Sequence, residues 1–484
     1  MFTKLLRESF STHAKLPVIV VGSRTYSYNE LAEIISGICR LIKQNCNDHN
    51  PRIAIVTNND AETYASVFAV WLCGGSFLPV NPAYPVEHNK RIIDLCEVKL
   101  VLNSKASGIF NNEFNTTNVC EKVISLPVIT PDKNDLMYIL FTSGSTGEPK
   151  GVPITYGNAE AYIISFHSNG YDFTSEDRFL QPFELSFDAS LDCYLIPALH
   201  GACIFPIDTE GIRYLNAIKL MQNNKLTVAK LTPSMVAFLR PYFGKINLAE
   251  MRYCLFGGEG LPESLVTEWA KCIPNARIHN LYGPTEATVE CFFYDASPDA
   301  EPSSHKGFIS IGKPTGDTLA IICNNKNEIL PNNSEGELCI SGPQVTSGYI
   351  NNPALNEAAF FTAKENGKEH RFYKTGDIAF RSDNGNYFCL GRNDRQVKIQ
   401  GYRVELDEIE ICANRFSGKN KFASIFKDNK VLLFSDFDNN YKLMDWLTKK
   451  LPPWMVPAEI ISIKEIPLNI NGKTDYKKLM KYGR

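Results

Sequence analysis

The sequence lacks a strong excess of charge of either sign. Its 50 lysine and arginine residues face 53 aspartate and glutamate residues, for a net charge of −3. Proteins that bind nucleic acid or an anionic membrane surface electrostatically concentrate positive charge, so nothing in this balance supports either class. The sequence also has no apolar run near the roughly 18 residues that a membrane helix needs. The early apolar segment Leu16–Gly22 is short and predicts a buried strand, not a signal sequence. We therefore expect a soluble cytoplasmic protein.

Cysteine pairs with C-x-x-C spacing are also absent, although the chain has 14 cysteines. The cysteines are scattered through apolar stretches, for example next to Ile38 and Ile340. Free cysteine behaves as a small buried apolar residue, and disulfides belong to small secreted proteins. We expect buried thiols in a reducing compartment.

What is present is an alternation of short apolar runs and amphipathic segments. With 484 residues the chain exceeds a single ordinary core, so two to four domains are expected. Two strand–helix–strand patterns predict a mostly parallel sheet. Their segments are Ile53–Val56, Ala61–Trp71 and Ser76–Val80, then Ala202–Pro206, Tyr214–Asn223 and Thr227–Leu231.

The pattern changes in the last third of the chain. From about Gly307 to Gly391, short strands alternate with Gly, Asn and Pro turns, which predicts a small antiparallel β subdomain. The segment after Gly391 predicts a small α+β tail of roughly 90 residues. The expected fold class is therefore α/β, with a large N-terminal domain of parallel-rich sheets and helices, the β subdomain, and a small α+β C-terminal domain.

The most informative segment is Leu140–Gly151, with the sequence LFTSGSTGEPKG after an apolar strand. Glycines allow backbone N–H groups to surround an anion, hydroxyls add donors, and a lysine supplies positive charge. The spacing is not that of a Walker A loop. The segment predicts a phosphate-binding loop, although a Gly/Ser/Thr loop by itself can also be a plain surface loop.

This segment resembles the phosphate-binding loop of the adenylate-forming superfamily, which includes acyl-CoA synthetases, luciferases and amino-acid adenylation domains. Four further segments resemble the other motifs of that superfamily and follow in the expected order. They are Asn280–Glu286 (NLYGPTE), Tyr373–Asp377 (YKTGD), Gly391–Glu405 (GRNDRQVKIQGYRVE) and Asn471–Asp475 (NGKTD). The resemblance covers essentially the whole chain.

The resemblance implies that the chain binds ATP and Mg²⁺. The residues it implies for the β- and γ-phosphates are Thr142, Ser143, Thr146 and Lys150, within a loop that also contains Gly144, Ser145 and Gly147. Thr285 would contact the α-phosphate, and Glu286 would hold Mg²⁺, a cation that prefers carboxylate oxygens. The remaining nucleotide-binding residues implied are Asp377 and Arg392 at the ribose, Tyr282 and Asn280 at the adenine, and Gly258, Glu259 and Gly283.

The resemblance also implies a catalytic lysine and a hinge. Lys473 would bridge the substrate carboxylate and the α-phosphate during adenylate formation. A second step needs that lysine withdrawn and a thiol admitted, which implies rotation of the C-terminal domain about Asp394. The resulting prediction is a core of residues 1–393, with the β subdomain at about 307–391, and a mobile domain of residues 394–484.

The segment Ser186–Ser190, with the sequence SFDAS, resembles that of the amino-acid-activating members. In those members the aspartate, here Asp188, pairs with the substrate's α-ammonium group. The alternative is a buried aspartate that caps the next helix. The side-chain pocket that the resemblance implies around Asp188 consists of Ala189, Asp192, Lys230, Leu255, Gly257, Leu281, Val289 and Glu290, besides Lys473.

Three of these pocket residues are charged, and unpaired charges in a dry pocket are costly. There are two possible arrangements of these residues, Lys230, Asp192 and Glu290. They either pair with one another and leave a small or apolar site, or they meet a polar side chain of the substrate. We favour a polar amino acid. Val152–Tyr156 and Phe256–Pro262 resemble the free-standing D-alanine–carrier protein ligases, but Gly257 and the charged residues depart from their pocket.

The chain ends about ten residues after Lys473, so we expect the acceptor thiol to come from a separate carrier protein or from coenzyme A, and we favour the phosphopantetheine of a carrier protein. The predicted function is ATP-dependent activation of an amino acid and its transfer to that carrier. Two alternatives are an acyl- or aryl-CoA ligase of the same superfamily, against which Asp188 argues, and a degenerate member that binds nucleotide without turnover. Neither the amino acid nor its chirality follows from the sequence.

Overall fold

The chain forms two compact units in a computed structural model. The residues that the structure describes are 2–117, 119–142, 149–208, 210–399, 402–417, 422–437, 439–468 and 474–482. The first unit comprises Met1–Val80, Leu95–Leu140 and Val152–Asn393, and the second comprises Asn81–Asp94, Phe141–Gly151 and Asp394–Arg484. The boundaries proposed from the sequence, 1–393 and 394–484, stay a prediction.

The helices of the described residues are, in chain order, α1 (Phe2–Thr12), α2 (Tyr28–Asn45), α3 (Ala61–Leu72), α4 (Val86–Leu95), α5 (Tyr156–His167), α6 (Leu191–His200), α7 (Arg213–Asn223), α8 (Pro233–Ala237), α9 (Glu263–Trp269), α10 (Pro353–Ala359), α11 (Leu406–Ser417), α12 (Asn440–Lys450) and α13 (Tyr476–Leu479). Short 3₁₀ turns lie at Asp188–Ser190, Arg240–Lys245, Ala270–Cys272, Thr285–Ala287 and Pro453–Met455.

The strands are β1 (Pro17–Val21), β2 (Arg24–Ser27), β3 (Arg52–Val56), β4 (Ser76–Val80), β5 (Leu100–Asn103), β6 (Glu113–Asn115), β7 (Leu136–Thr142), β8 (Lys150–Thr155), β9 (Arg178–Gln181), β10 (Cys203–Pro206), β11 (Val228–Leu231), β12 (Tyr253–Phe256), β13 (Arg277–Tyr282), β14 (Phe292–Asp295), β15 (Ser304–His305), β16 (Phe308–Ile309), β17 (Lys313–Pro314), β18 (Leu319–Cys323), β19 (Gly336–Ser341), β20 (Phe360–Glu365), β21 (Lys368–Arg381), β22 (Tyr387–Arg392), β23 (Gln396–Ile399), β24 (Tyr402–Glu405), β25 (Phe422–Lys427), β26 (Lys430–Ser435) and β27 (Glu459–Ser462).

Two large sheets are mostly parallel, as the sequence predicted. The nine-stranded sheet has the order β17-β14-β13-β12-β11-β9-β10-β1-β2, and the six-stranded sheet has the order β6-β5-β3-β4-β7-β8. The first predicted strand–helix–strand unit is confirmed, because β3 and β4 pair in parallel on either side of α3 in the chain. The second predicted strand–helix–strand pattern differs from the prediction. Its two strands, β10 and β11, do not pair with each other, because β9 lies between them in the sheet.

The predicted antiparallel β region is also confirmed, as a five-stranded sheet of β18 to β22 in which β21 has three partners. The second unit contains the hairpin of β23 and β24 and the three-stranded sheet β25-β26-β27. The helices α11, α12 and α13 complete this unit's small α+β arrangement.

The main core of the first unit is rich in aromatic side chains. Every residue of α3 except Glu62 is buried, since α3 packs on β3 and β4. Asp60 caps this helix by accepting a hydrogen bond of 2.9 Å from the backbone N–H of Thr63. Trp71 stacks on Tyr194 of α6 with ring centroids 6.0 Å apart. Helix α6 therefore rests on a rigid apolar base, which fixes the position of its first turn.

Among the described residues, no helix combines the length and the apolar character needed to cross a lipid bilayer.

Candidate functional site

The pocket residues predicted from the sequence lie where parallel strands of the nine-stranded sheet end. Lys230 of β11 is the register partner of Leu255 of β12, and Leu255 is the partner of His279 of β13, two residues before Leu281. The carboxyl ends of parallel strands meet at one edge of a sheet, which is the usual place for a ligand in α/β folds. The structure therefore brings these predicted residues together.

A buried ion cluster lies at this edge, formed by Lys230, Asp192, Glu290 and Tyr162. The Lys230 ammonium donates to Asp192 Oδ2 and, at 2.6 Å, to Glu290 Oε2. The hydroxyl of Tyr162 on α5 donates to Asp192 Oδ1. The exposed fractions are only 4% for Lys230, 2% for Asp192 and 6% for Glu290, so water does not screen these charges. The charged residues thus pair with one another, but Glu290 Oε1 stays without a partner among the described residues, so this pairing does not by itself leave an apolar site.

The protonation states of the ion cluster follow from burial and charge. Burial favours the neutral form of Lys230, but Asp192 and Glu290 outweigh it and hold the pKa of Lys230 above its ordinary value. Burial and the neighbouring Asp192 raise the pKa of Glu290 well above its ordinary value, against the effect of Lys230. Burial therefore favours the protonated form of Glu290 more than it would for an exposed glutamate. Its Oε1 atom is buried and has no hydrogen-bond partner among the described residues.

Asp188 lies at the same edge, in the 3₁₀ turn that leads into α6. Its Oδ1 accepts a hydrogen bond of 2.8 Å from the backbone N–H of Ala189. Its Oδ2 is buried and has no partner among the residues that the structure describes. Burial raises the pKa of Asp188 to about 6, against the lowering effects of the Thr285 side chain and the Lys230 charge. The alternative role as a helix cap does not account for the unpartnered oxygen.

A strained turn positions Glu290 in the ion cluster. Thr288 and Val289 have φ angles of 55° and 68°, a left-handed conformation that is costly for β-branched residues. The side chain of Gln344 supports the turn by donating to Glu290 O at 2.9 Å, and the Thr288 hydroxyl donates to Gln344 O at 2.6 Å. Strain of this kind at a pocket wall indicates a position held for function.

Gly283 allows the strained turn to pack closely. A Cβ atom at this position would lie 2.4 Å from Glu290 Cα and 2.6 Å from Val289 O, which are backbone atoms and cannot move aside alone. We expect Gly283→Ala to lower the thermal midpoint by about one to four degrees, as an overpacking cost of about 1–3 kcal/mol would. Gly244→Ala is the control, because no atom lies within 4 Å of its added Cβ. Equal midpoints for the two variants would contradict this role of Gly283.

The predicted ribose and adenine residues form a second cluster. Asp377 Oδ1 accepts a hydrogen bond of 2.8 Å from Arg392, and Asp377 Oδ2 accepts one of 2.5 Å from the Tyr282 hydroxyl. Arg392 also donates to Thr375 O at 3.1 Å. Asn280 is buried and donates to Ser310 O at 2.8 Å. The structure thus joins the NLYGPTE, YKTGD and GRND segments, which lie far apart in the sequence.

Glu286, the predicted Mg²⁺ ligand, is fully buried at 0% exposure. Its Oε1 accepts a hydrogen bond of 2.7 Å from the Tyr349 hydroxyl, and its backbone oxygen accepts one of 2.8 Å from Thr346 N–H. Glu259, another predicted residue, accepts hydrogen bonds of 2.9 and 2.8 Å from the backbone and hydroxyl of Ser234. Gly258, beside it, has a φ of 83°, which glycine adopts without strain.

The phosphate-loop prediction falls only partly within the described residues. Thr142 ends β7 and is half-buried, and Lys150 begins β8. In the second unit the Lys150 ammonium lies 3.6 Å from Glu405 Oε1, and the carboxylate of Asp394 accepts a hydrogen bond of 3.1 Å from Gln396 N–H. The predicted residues that lie outside the described residues are Ser143, Gly144, Ser145, Thr146, Gly147 and Lys473.

Several residues of the site were not predicted from the sequence. The Tyr162 hydroxyl donates a hydrogen bond to Asp192, and the Tyr349 hydroxyl donates one to Glu286. The side chain of Gln344 donates a hydrogen bond to the backbone of the strained turn. Tyr138 adds a fully buried hydroxyl with no partner among the described residues, and burial together with Asp188 raises its pKa. Their local sequences are ordinary apolar or turn segments, so no signal in the sequence distinguishes them from core residues.

The comparison with known families decides the assignment. Residues 6–350 match the family described as AMP-binding enzyme. The chain belongs to this family. It is an adenylate-forming enzyme of an ATP-dependent superfamily, as the ordered motifs predicted.

The relatives with known names include two synthases and a carrier protein ligase. The chain is 30% identical to Zwittermicin A synthase ZmaJ of Bacillus cereus, over 99% of the chain and 94% of the relative. It is 30% identical to D-alanine--D-alanyl carrier protein ligase of Bacillus licheniformis, over 86% of each. It is also 28% identical to Tyrocidine synthase 3 of Brevibacillus parabrevis, over 99% of the chain. The chain spans only 8% of the length of that large synthase.

Solved structures share the fold at lower identity. The Vibrio cholerae adenylation domain AlmE, in complex with glycyl-adenosine-5'-phosphate, has a TM-score of 0.88 at 23% identity, covering 99% of this chain and 97% of that one. The o-succinylbenzoate CoA synthetase MenE of Bacillus subtilis has a TM-score of 0.82 at 17% identity, covering 99% of this chain and 98% of that one. These likenesses confirm the predicted α/β fold class, with a large sheet-rich N-terminal part and a smaller C-terminal part.

Proposed function

We propose that this protein activates an amino acid as an aminoacyl-adenylate and then transfers it to the phosphopantetheine thiol of a carrier protein. In the first step a substrate carboxylate oxygen bonds to the α-phosphorus of ATP, the bond to the β-phosphate oxygen breaks, and pyrophosphate leaves. In the second step a thiol attacks the acyl carbon and AMP leaves. The observation that carries the proposal is the buried, unpartnered Oδ2 of Asp188 at the strand edge.

Asp188 supports an α-amino substrate for an electrostatic reason. An ionised carboxylate without a partner is costly to bury, and the raised pKa of Asp188, about 6, reflects that cost. An α-ammonium group would supply both a counter-charge and a hydrogen-bond donor to Oδ2. A fatty acid or aryl acid offers neither and would leave the carboxylate uncompensated. Asp188 thus favours amino acids over other carboxylic acids.

The remaining residues suit the nucleotide. The Asp377 carboxylate, oriented by Arg392 and Tyr282, is suited to accept hydrogen bonds from ribose hydroxyls. Glu286 is a hard oxygen donor, which fits Mg²⁺, an ion that takes one or two carboxylates together with phosphate oxygens and water. Thr285 begins the 3₁₀ turn that follows β13, three residues after Tyr282, and would meet the α-phosphate. The bridging role of Lys473 and the hinge at Asp394 remain parts of this proposal.

The ion cluster supports an uncharged polar side chain in the substrate. One lysine cation faces two carboxyl groups in this dry site, and we assign the neutral, protonated form to Glu290. Lys230 and Asp192 then balance each other, and Asp188 is balanced by the α-ammonium group. A charged substrate side chain would disturb this balance in a dry site. An apolar one would leave Glu290 Oε1 without a partner, at a cost of about 1–3 kcal/mol. A carboxamide or hydroxyl group that meets this atom satisfies both conditions.

Glu290→Gln tests the class of the side chain. Glutamine preserves the shape and neutrality that we assign to Glu290, so we expect a stable enzyme whose KM for the amino acid rises by no more than about tenfold, the value of one neutral hydrogen bond. The KM for ATP is the internal control and should not change. A loss of more than about a hundredfold, together with a preference for lysine or ornithine in the wild type, would show that Glu290 acts as an anion and meets a cationic side chain.

ATP–pyrophosphate exchange tests the reaction class. The wild type is assayed with L- and D-amino acids, hydroxy acids, aryl acids and short fatty acids. We expect exchange to be stimulated by one or a few amino acids. Exchange that responds only to acids without an α-amino group would contradict the proposal and favour the acyl- or aryl-CoA ligase alternative, for which the fold of MenE is a precedent. Exchange with none of them would favour a nucleotide-binding member without turnover.

The acceptor is tested by the product of the second step. After amino acid and ATP are supplied, mass spectrometry of an added phosphopantetheinylated carrier protein should show the mass of one aminoacyl group. Coenzyme A in place of the carrier is the matched alternative acceptor. Acylation of coenzyme A alone would contradict the carrier-protein part of the proposal and leave the adenylation part intact.

A further inference from the structure

Two histidine rings face each other at the ends of two helices outside the candidate site. His167 is the last residue of α5, and His200 is the last residue of α6. Their Nε2 atoms lie 3.2 Å apart, and the ring planes are inclined by 21°. No role in adenylation requires this pair.

Their hydrogen bonds determine where the ring hydrogens are. The Nδ1 atom of His167 lies 2.6 Å from Ile163 O, and that of His200 lies 2.9 Å from Ile196 O. A backbone carbonyl only accepts hydrogen bonds, so Nδ1 carries the hydrogen in both rings. In the neutral rings both Nε2 atoms are then lone-pair nitrogens. Two lone pairs that face each other at 3.2 Å repel, unless a cation lies between them.

Three features of the pair suit a metal cation. Two imidazole nitrogens at about 2.0–2.1 Å from a tetrahedral Zn²⁺ lie about 3.3 Å apart, close to the observed separation. Metal-binding histidines usually donate their other ring N–H to a carbonyl, as both rings do here. The carboxyl-terminal ends of two helices also meet at the pair, and helix dipoles favour positive charge at these ends.

We propose that His167 and His200 form a two-imidazole binding site for a divalent transition-metal cation such as Zn²⁺. Among the described residues, no group of three or more His, Cys, Asp or Glu side chains is arranged to hold a metal, so water completes the coordination. The site is therefore open and exchangeable, and distinct from the predicted Mg²⁺ ligand Glu286, which is a hard oxygen donor.

The surroundings favour a metal over a proton in this position. Burial lowers the pKa of His200, and the nearby His167 and His13 lower it further, against the raising effect of Asp177. The Phe173 ring packs edge-on against His200 at 5.7 Å. A metal needs the neutral form of an imidazole, and burial favours that form at His200.

The pair is also connected to the substrate pocket through the same two helices. Tyr162 lies in α5 and Asp192 lies in the first turn of α6, and the side chains of these two residues are hydrogen-bonded. A metal bound at the carboxyl-terminal ends of α5 and α6 would connect the two helices at a second point. We therefore expect Zn²⁺ to raise the thermal midpoint as well as to bind.

Zinc titration of the full chain tests the site. The protein is first treated with a chelator, and Zn²⁺ is then added in competition with a fluorescent indicator at pH 7.5. We expect one equivalent to bind, and His167→Gln and His200→Gln each to weaken that binding by about tenfold or more, because each removes one arm of a chelate. His49→Gln is the control, since it removes an exposed imidazole beside Asp135 and should leave the equivalent unchanged.

A second measurement does not depend on the folding of a variant. X-ray absorption at the zinc edge of the wild-type protein should show two imidazole ligands per metal. Unchanged binding in both variants, or an absorption spectrum without imidazole, would overturn the proposal. The proposal would also be overturned if the wild type bound no zinc and NMR showed one proton shared by the two rings. In that case a proton, and not a metal, would lie between the two Nε2 atoms.

Discussion

Asp188→Asn is expected to lower kcat/KM for amino-acid-dependent pyrophosphate exchange by about a hundredfold to a thousandfold. The substitution keeps the size and the Oδ1 contact with Ala189 but removes the charge that would face the α-ammonium group. Losing one charge-assisted hydrogen bond in a buried site costs about 3–4 kcal/mol in such cases. The KM for ATP should change little, because Asp377 and Arg392 are untouched.

The pH dependence gives a second measure of the same residue. Since the pKa of Asp188 is raised to about 6 by burial, its carboxylate form is lost as the pH falls through that value. We expect kcat/KM for the amino acid to fall about tenfold per pH unit below about pH 6 in the wild type. A bound α-ammonium group favours the carboxylate, so the fall in kcat should occur at lower pH than the fall in kcat/KM. Profiles without a group near pH 6 would contradict this role.

Stability should change in the opposite direction to activity. Folding raises the pKa of the Asp188 carboxyl from its ordinary value of 3.8 to about 6. Such a group stabilises the folded state most at a pH below the unfolded pKa. This contribution is lost as the pH rises from about 3.8 through about 6. At pH 7 the ionised Asp188 therefore costs up to about 3 kcal/mol, the equivalent of two pKa units. Asp188→Asn should be at least as stable as the wild type at pH 7. A structural cap would instead be destabilised by the substitution.

Lys230→Met is expected to have the largest effect on stability. The substitution leaves Asp192 and Glu290 buried without their shared cation, and breaking a buried ion pair in this way costs about 3–5 kcal/mol. The thermal midpoint of the first unit should fall by about four to seven degrees. Lys219→Met is the matched control, because Lys219 is an exposed lysine of α7 and its removal should change stability by less than about 0.5 kcal/mol.

A neutral version of the ion cluster distinguishes charge from packing. The triple variant Lys230→Met, Asp192→Asn and Glu290→Gln removes the charges of the ion cluster while keeping similar volumes. Replacing a buried ion pair by neutral groups is often tolerated, so we expect most of the lost stability to return, without amino-acid activation. If the triple variant were as unstable as Lys230→Met, packing and not electrostatics would be the cause.

Much of the fold could be predicted from local sequence. The strand Ser76–Val80 has the predicted bounds, because a short apolar run between turn residues defines both ends of a strand. The order of strands could not be predicted. The insertion of β9 between β10 and β11 depends on long-range packing, which hydrophobic periodicity does not encode.

The residues of the site could be predicted only where they belong to segments that resemble known motifs. The resemblance identified Asp188, Lys230 and Glu290 as neighbours, and the structure brings them to one strand edge. It did not identify Tyr162 or Gln344, which hold the ion cluster from other elements. Whether charged residues pair with one another depends on distances of a few ångströms, and these follow from tertiary packing alone.

The most direct test of the central claim is to observe the adenylate itself. The enzyme is incubated with ATP, Mg²⁺ and the amino acid that stimulates exchange, and in parallel with the same acid lacking its α-amino group. Mass spectrometry of the enzyme-bound fraction should show the aminoacyl-adenylate only for the amino acid, and only in the wild type, not in Asp188→Asn. Equal amounts of adenylate from both acids, or from both enzymes, would contradict the assignment of this site to an α-amino substrate.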